Sequence, residues 1–354
     1  MQIFLKEYCL PLRYRFTITH ESRIHQPTLI VALSDGNITG YGEAAEVSYY
    51  KVTLKDLSQA LKNVRHLLAD YSFTSPWQLW TDLQPYLQEH PFAQCALDQA
   101  AWDYYGRKMG VPLYQLLGLN PANAPISNYT IGIDSVEVML AKMKEMPWPI
   151  YKIKLGMGND LEIIRALRQH TEAVFRVDAN CGWTAEQTIE YAQELKQLGV
   201  EFIEQPLKAD DWEGMKEVFT YSKLPIIADE SCILETDVAR CKEYFHGINI
   251  KLTKCGGITP ALRMINQARQ YGMKVMVGCM VESSVGISAI AHLAPLLDYV
   301  DMDGALLLSQ DIATGVQVTP QGAIYPSRNG TGVEMKDGFP HKSLTQFADI
   351  SLTG

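Results

Sequence analysis

The segment AVFRVDANCGWTAEQTIEYAQELKQLGVEFIEQP, residues 173–206, decides the fold. It reads as a short β-rich run, a run with apolar residues at helical spacing, and a second β-rich run. Strand, helix and strand in unbroken succession imply that the two strands lie parallel. Working outward, the same unit recurs on both sides. Upstream, SNYTIGI (127–133) precedes a helical run from Ser135, and IYKIKLG (150–156) precedes LEIIRALRQH (161–170). Downstream, DWEGMKEVFTYS (211–222) leads to LPIIADES (224–231), which precedes ETDVARCKEYF (235–245). GINIKLTKCGG (247–257) and MKVMVGCMVES (273–283) each precede a further helical run, and YVDMDGALLL (299–308) closes the series. Eight strands separated by seven helices predict an α/β fold, a (β/α)7β TIM-like barrel. An open doubly wound sheet is the rival, and it would carry a G-x-G-x-x-G turn after its first strand, which is absent here.

The first part of the chain has a different grain. Residues 1 to about 50 read as strands, with PTLIVALSDG (27–36) turning into NITGYGEA (37–44). Residues 53 to about 118 read as helices, including LSQALKNVRHLLADY and CALDQAAWDYYGRKMG. The expected division is an α+β capping domain over 1–125, the barrel over 126–314, and a turn-rich tail over 315–354 that packs back on the capping domain.

Composition narrows the function classes. The 354 residues are 47% hydrophobic and 20% charged, enough apolar material for a sizeable core. The formal charge is −9 and no run of Lys and Arg occurs, which argues against a nucleic-acid surface. No stretch is long and apolar enough to span a bilayer, and the charges and Pro11 near the N-terminus leave no apolar signal core. The seven cysteines are odd in number, widely spaced and without C-x-x-C, so free thiols in a reducing cytoplasm are expected. The sequence leaves open whether the chain acts alone or as a homo-oligomer.

In such a barrel the chemistry sits at the C-terminal ends of the strands. Those ends carry Lys152 and Lys154, Asp178, Glu204, Asp229, Lys251, and Asp301 with Asp303. Asp178 to Glu204 is 26 residues and Glu204 to Asp229 is 25, one βα unit each, so the three carboxylates are expected on adjacent strands at one depth. Crowded carboxylates resist ionising together, and a divalent cation removes that conflict; oxygen-only ligands favour Mg2+. Strand-end acids that merely cap the following helices are the plainer alternative. Lys152 and Lys154, two apart on one strand, face the same way, and adjacent ammonium groups are expected to lower each other's pKa. Lys251 comes from the sixth strand, opposite the second. One lysine on each face of a metal-held carbonyl compound would remove and return a proton at the neighbouring carbon. Interior lysines serving only as counter-ions are the simpler reading, and Lys254 reads as loop or helix-start structure.

The motifs YKIKLG, RVDAN, IEQP, ADES and NIKLTKCGG, in that order and spacing, resemble the enolase superfamily, in particular its muconate-lactonizing-enzyme subgroup. The resemblance covers essentially the whole chain. It implies Lys154 and Lys251 as the acid/base pair, Lys152 as an assisting group, and Asp178, Glu204 and Asp229 as Mg2+ ligands. Dipeptide epimerases of this subgroup carry D-x-D at the end of the last barrel strand, and Asp301 and Asp303 match it as the holder of a substrate ammonium. By the same resemblance Arg23, in THESRIHQP (19–27), is the candidate partner for a glutamate side chain, with His20 and His25 beside it. The implied activity is dipeptide epimerisation, L-Ala-D/L-Glu favoured, in peptidoglycan-peptide recycling. The alternatives that share metal and lysines are o-succinylbenzoate synthase, muconate cycloisomerase, and epimerases for other dipeptides. Glu282, after the seventh strand, is a further candidate to face the substrate, where its charge would favour a cationic or polar residue instead of glutamate; the sequence leaves its role open.

Overall fold

The structure, a computed structural model, describes residues 1–19 and 21–340. The chain opens with an antiparallel sheet of β1 (Gln2–Ile18), β2 (Glu21–Ser34) and β3 (Thr39–Ala45), in the order β1-β2-β3. Against it pack α1 (Leu54–Ala69), α2 (Pro76–Leu87) and α3 (Pro91–Met109), followed by the short α4 (Leu113–Leu116). One face of this sheet and the facing helices share a core that includes Leu29, Val31, Leu33, Leu61, Leu83 and Ala96. Alternate residues of β2 thus point to that core, as a half-covered sheet requires.

The segment that carries Arg23 belongs to strand β2. Pairing continues to Ile18↔Glu21, so β1 and β2 form a long hairpin. The alternating pattern of TI and ESRIHQ suits a two-stranded ribbon better than a loop. His20 lies outside the described residues. The hairpin tip rests on the barrel: Ile133 N donates to Thr17 O at 2.9 Å, and Thr19 Oγ1 donates to Leu155 O at 3.0 Å.

The barrel follows as β4 (Tyr129–Ile131), α5 (Val136–Glu145), β5 (Ile150–Lys154), α6 (Asp160–Arg168), β6 (Val174–Asp178), α7 (Ala185–Gln197) and β7 (Val200–Glu204). It continues with α8 (Trp212–Tyr221), β8 (Ile226–Ala228), α9 (Glu235–Cys241), β9 (Gly247–Lys251), α10 (Leu252–Cys255), α11 (Ile258–Gln270), β10 (Lys274–Gly278), α12 (Ser284–Ala291) and β11 (Tyr299–Asp301). The eight strands pair in parallel in sequence order from β4 to β11. Between β11 and β4 side chains carry the connection. Asp303 accepts from Thr130 N, Asp301 Oδ1 from Asn128 Nδ2 at 2.7 Å, and Ser127 Oγ from Met302 N at 3.0 Å.

Side-chain alternation sorts the strands into two layers. Ile153, Phe175, Val177, Ile203, Ile248, Ile250 and their like face the helices and form the large core. On the inner face Phe202, Ile227 and Met276 form an apolar floor with Tyr299 packed against it. Phe202, Ile227 and Tyr299 each lie two residues before a polar strand-end group, Glu204, Asp229 and Asp301. The polar groups therefore stand one layer above a sealed floor, at the mouth of a filled barrel.

The N-terminal unit is clamped to this mouth through buried acids. Asp98 of α3 accepts from Thr259 N at 2.8 Å and Thr259 Oγ1 at 2.7 Å, at the first turn of α11. Glu43 of β3 accepts from Ser283 N at 3.0 Å, Ser283 Oγ at 2.6 Å and Gly286 N at 3.0 Å, at the first turn of α12. Both acids meet the free N–H groups of helix starts.

The described part of the tail adds β12 (Ala313–Thr314), β13 (Gln317–Thr319), β14 (Gly322–Ile324) and β15 (Glu334–Met335). It packs on the N-terminal sheet: Met335 and Phe339 join Ile30 and Ala32 in one cluster, and Lys6 pairs with Asp337 at 2.6 Å. Residues 341–354 of the expected tail lie outside the described residues. Among the described residues no helix is long and apolar enough to cross a membrane, and all seven cysteines are free thiols.

Candidate active site

A cavity open to solvent lies between the barrel mouth and the N-terminal hairpin. Lys152, Lys154, Lys251, Asp301, Asp303 and Arg23 all line it. Asp178, Glu204 and Asp229 lie buried, with carboxylate oxygens mutually within 4.8 Å. Asp178 and Glu204 are register partners, but Glu204 pairs with Ile227, so Asp229 stands two residues further along its strand and just past its end. The stagger of tilted barrel strands brings the three groups level despite this offset in register.

The lysines are tied to this trio. Lys154 Nζ donates to Asp178 Oδ2 at 2.6 Å and Lys251 Nζ donates to Asp229 Oδ2 at 2.7 Å. Lys152 Nζ lies 3.1 Å from Asp178, 2.8 Å from Glu204 and 2.9 Å from Asp301. The expectation that adjacent lysines depress each other's pKa is overturned for Lys152. Burial lowers its pKa, but Asp301, Glu204, Asp178 and Asp229 together hold it well above the ordinary lysine value. Burial likewise works against the Lys251 ammonium, and Asp229 and Tyr50 more than offset it, again upward. Carboxylates outnumber the lysines' mutual repulsion.

The acids divide. Burial raises the Asp178 pKa, but Lys154 and Lys152 bring it down to about 2. Asp229 is lowered too, Lys251 and Lys254 outweighing its burial. Glu204 goes the other way, pushed up to about 8 by burial and by Asp178. Its Oε1 accepts from Asn249 Nδ2 at 2.8 Å, while Oε2, though near Lys152, has no aligned hydrogen bond. Three buried, mutually repelling oxygen donors with one unsatisfied acceptor fit a small hard cation such as Mg2+.

Asp301 and Asp303 are brought together at the barrel seam. Asp301 spends both oxygens, on Asn128 and on Lys152, and these contacts outweigh burial to keep its pKa low. Asp303 is pushed up to about 8 by burial and by Asp301, and its Oδ1 faces Cys279 Sγ at 4.0 Å. Arg23 reaches the cavity, but its guanidinium is bonded to Glu21 and Gln26. Glu21 also accepts from Ser48 Oγ at 2.9 Å.

Glu282, the further candidate after the seventh strand, does not line the cavity. It is buried with its carboxyl against Gly286, the residue that also meets Glu43. Burial, with Glu43 beside it, pushes its pKa well up. The turn into α12 carries the side chain under the domain interface rather than over the barrel mouth.

Sequence reasoning undervalued two groups. Lys254 is fully buried in α10, its ammonium 2.5 Å from Asp229 Oδ1 and bonded to the carbonyls of Asp229 and Cys232. Its spacing of three from Lys251 at a strand-to-helix junction was the available signal. Glu230 lines the cavity beside Asp229 and is pushed up to about 7 by burial and by Asp229. It sits inside ADES, directly after Asp229.

Two family models match, Mandelate racemase / muconate lactonizing enzyme, N-terminal domain over residues 2–118 and Enolase C-terminal domain-like over residues 135–338. An L-Ala-D/L-amino acid epimerase of Flavobacterium johnsoniae is 55% identical over 95% of this chain and 100% of its own. An L-Ala-D/L-Glu epimerase of Bacteroides thetaiotaomicron is 39% identical over 94% of this chain and 88% of its own. A dipeptide epimerase from Cytophaga hutchinsonii, crystallised with Mg and the dipeptide D-Ala-L-Val, superposes with a TM-score of 0.90 at 26% identity, covering 96% of each chain. With both halves matched and such relatives spanning nearly its full length, the chain belongs to the mandelate racemase / muconate lactonizing enzyme family of the enolase superfamily.

Proposed function

We propose that the chain is a Mg2+-dependent dipeptide epimerase, an isomerase that inverts the α-carbon of the C-terminal residue of a dipeptide. L-Ala is the favoured first residue and L-Ala-D/L-Glu a favoured pair. The observation that carries the reading is the placement of Lys154 and Lys251, from the second and sixth of eight strands, on one cavity and on two members of one acidic trio. The names of the relatives at 55% and 39% identity agree with it.

Asp178, Glu204 and Asp229 would hold the ion. When bound, Mg2+ offsets the negative charge that develops on the substrate carboxylate as the α-proton leaves. Lys154 and Lys251 act on the α-carbon from opposite faces, one taking the proton as the other supplies one. A lysine serves as base only as the neutral amine. Ligation of Asp229 to a cation weakens the pull that raises the Lys251 pKa. Lys152, one layer in, donates towards the carboxylate end of the substrate. Asp303, steadied by Asp301, accepts the dipeptide ammonium. Arg23 faces the second side chain, with Glu21 already balancing its charge, so neutral side chains are accommodated beside glutamate. By the same reading the enzyme is cytoplasmic and acts on small peptides such as those of peptidoglycan recycling.

The test is incubation of an L-Ala-X library with enzyme and Mg2+ in D2O, followed by proton NMR. Deuterium is expected at the α-carbon of the second residue in both epimers. No exchange in any dipeptide defeats the reading.

A further inference from the structure

Glu230 poses a problem that the acidic trio does not solve. Its carboxyl lines the cavity yet is almost wholly buried. Oε1 receives only a long hydrogen bond, 3.4 Å from Asn180 Nδ2. Oε2 is closed to solvent and has no hydrogen-bond partner among the described residues. Burying a carboxylate oxygen without a donor is costly. The location makes it costlier, because the charges of Asp229 and Asp178 both reach Glu230. A fourth acid at the edge of three others lowers the energy of the fold only when positive charge and a donor are both supplied there.

The backbone around it is arranged to keep the carboxyl in place. Asn180, which donates to it, adopts a left-handed conformation at φ 42° and donates its own N–H to Asp178 Oδ1 at 3.0 Å. The residue bonded to Glu230 is thus also bonded to a member of the trio. A Mg2+ ion held by three carboxylates keeps other octahedral positions for water or substrate, and a coordinated water is a strong donor.

We infer that Glu230 is an outer-sphere anchor for the metal, its Oε2 accepting a hydrogen bond from a water in the coordination sphere of Mg2+ held by Asp178, Glu204 and Asp229. Outer-shell partners of this kind orient the inner sphere and commonly change metal affinity by about ten- to a hundredfold. Asn180 is the positioning residue that aims the carboxyl. The inference rests on the metal reading above, and it is tested without turnover.

Mg2+ binding to the full chain is measured by titration calorimetry for wild type, Glu230→Gln and Glu230→Asp, with no dipeptide present. Waters on bound Mn2+ are counted by proton relaxation. Glu230→Gln keeps the size but loses the charge, and a roughly tenfold weaker Mg2+ dissociation constant is expected with the water count unchanged. Glu230→Asp keeps the charge but withdraws the oxygen, and a loss of about threefold or more is expected; it carries the test if the Gln variant does not fold. Equal affinity in the folded variants overturns the inference alone. An extra water on Mn2+ in Glu230→Gln also overturns it, since the side chain would then have been a direct ligand. No Mg2+ binding by the wild type removes the metal reading and this inference together.

Discussion

Lys154 and Lys251, from strands β5 and β9 on opposite sides of the barrel, donate to different members of one acidic trio, at 2.6 Å to Asp178 and 2.7 Å to Asp229. Each ammonium is thereby fixed beside the ion site and left lining the same cavity. In the proposed reaction each amine serves one face of a planar intermediate.

Replacement of either lysine follows directly. Lys154→Ala and Lys251→Ala are each expected to reduce epimerisation by about 10²–10⁴-fold, the usual worth of a positioned acid or base. Because each lysine serves one face, each variant should retain slow deuterium exchange into one epimer only. Unimpaired interconversion in either variant removes that lysine from the reaction.

Metal removal has a thermal as well as a catalytic readout. Chelation is expected to abolish activity while far-UV circular dichroism stays folded, since Lys152, Lys154, Lys251 and Lys254 already partner the acids. Adding Mg2+ to about 100 times its dissociation constant should stabilise the fold by about 2.7 kcal/mol. An unchanged melting temperature at saturating Mg2+ would count against the trio as ligands.

Glu21 pairs with Arg23, the residue proposed to face the second side chain of the dipeptide. Glu21→Gln releases the guanidinium, and KM for L-Ala-L-Glu is expected to fall about tenfold, the equivalent of about 1.4 kcal/mol, with little change for an apolar second residue. Steady-state kinetics on both dipeptides decides it. Equal changes for the two would mean that Arg23 does not meet the side chain.

Glu282 gives the opposite expectation. Its carboxyl is buried under the domain interface and does not line the cavity, so the isosteric Glu282→Gln should leave the dipeptide preference unchanged and kcat/KM within about threefold. A shift in preference between cationic and acidic second residues would place Glu282 in the cavity after all.

Stability should carry a signature of His292. Burial lowers its pKa from 6.5 to about 4, and its ring accepts from Tyr114 N at 3.0 Å. A depressed folded pKa contributes stability that is full above pH 6.5 and is lost as pH falls towards 4, because the unfolded chain takes up the proton first. The shift corresponds to about 3 kcal/mol at most. Denaturant melts of His292→Gln should approach the wild type as pH falls through this window. A constant difference from pH 7.5 to pH 4 would show that His292 is not the group that titrates.

Much of the site was legible because barrel chemistry is written in a period. Lys152, Lys154, Asp178, Glu204 and Lys251 stand at strand ends that alternation alone locates. Asp229 and Asp303 fall just beyond theirs, within the usual uncertainty of a strand boundary. The place of Glu282 was not legible because a turn intervenes between β10 and α12, and local sequence does not say where a turn aims its side chains. Lys254 was undervalued because burial is not a property of spacing.

The sequence by itself determined the order of strands and helices, the face on which each strand-end group lies and the chemical types gathered at the barrel mouth, since these follow from periods of two and 3.6 along one chain. Tertiary structure alone decided which charges touch. It set the stagger that brings Asp229 level with Glu204, balanced Arg23 with Glu21, buried Glu282 against the N-terminal unit and raised the Lys152 pKa instead of lowering it. The reason is that Coulomb energy and desolvation depend on distance and burial across segments far apart in the chain, and no local pattern encodes either.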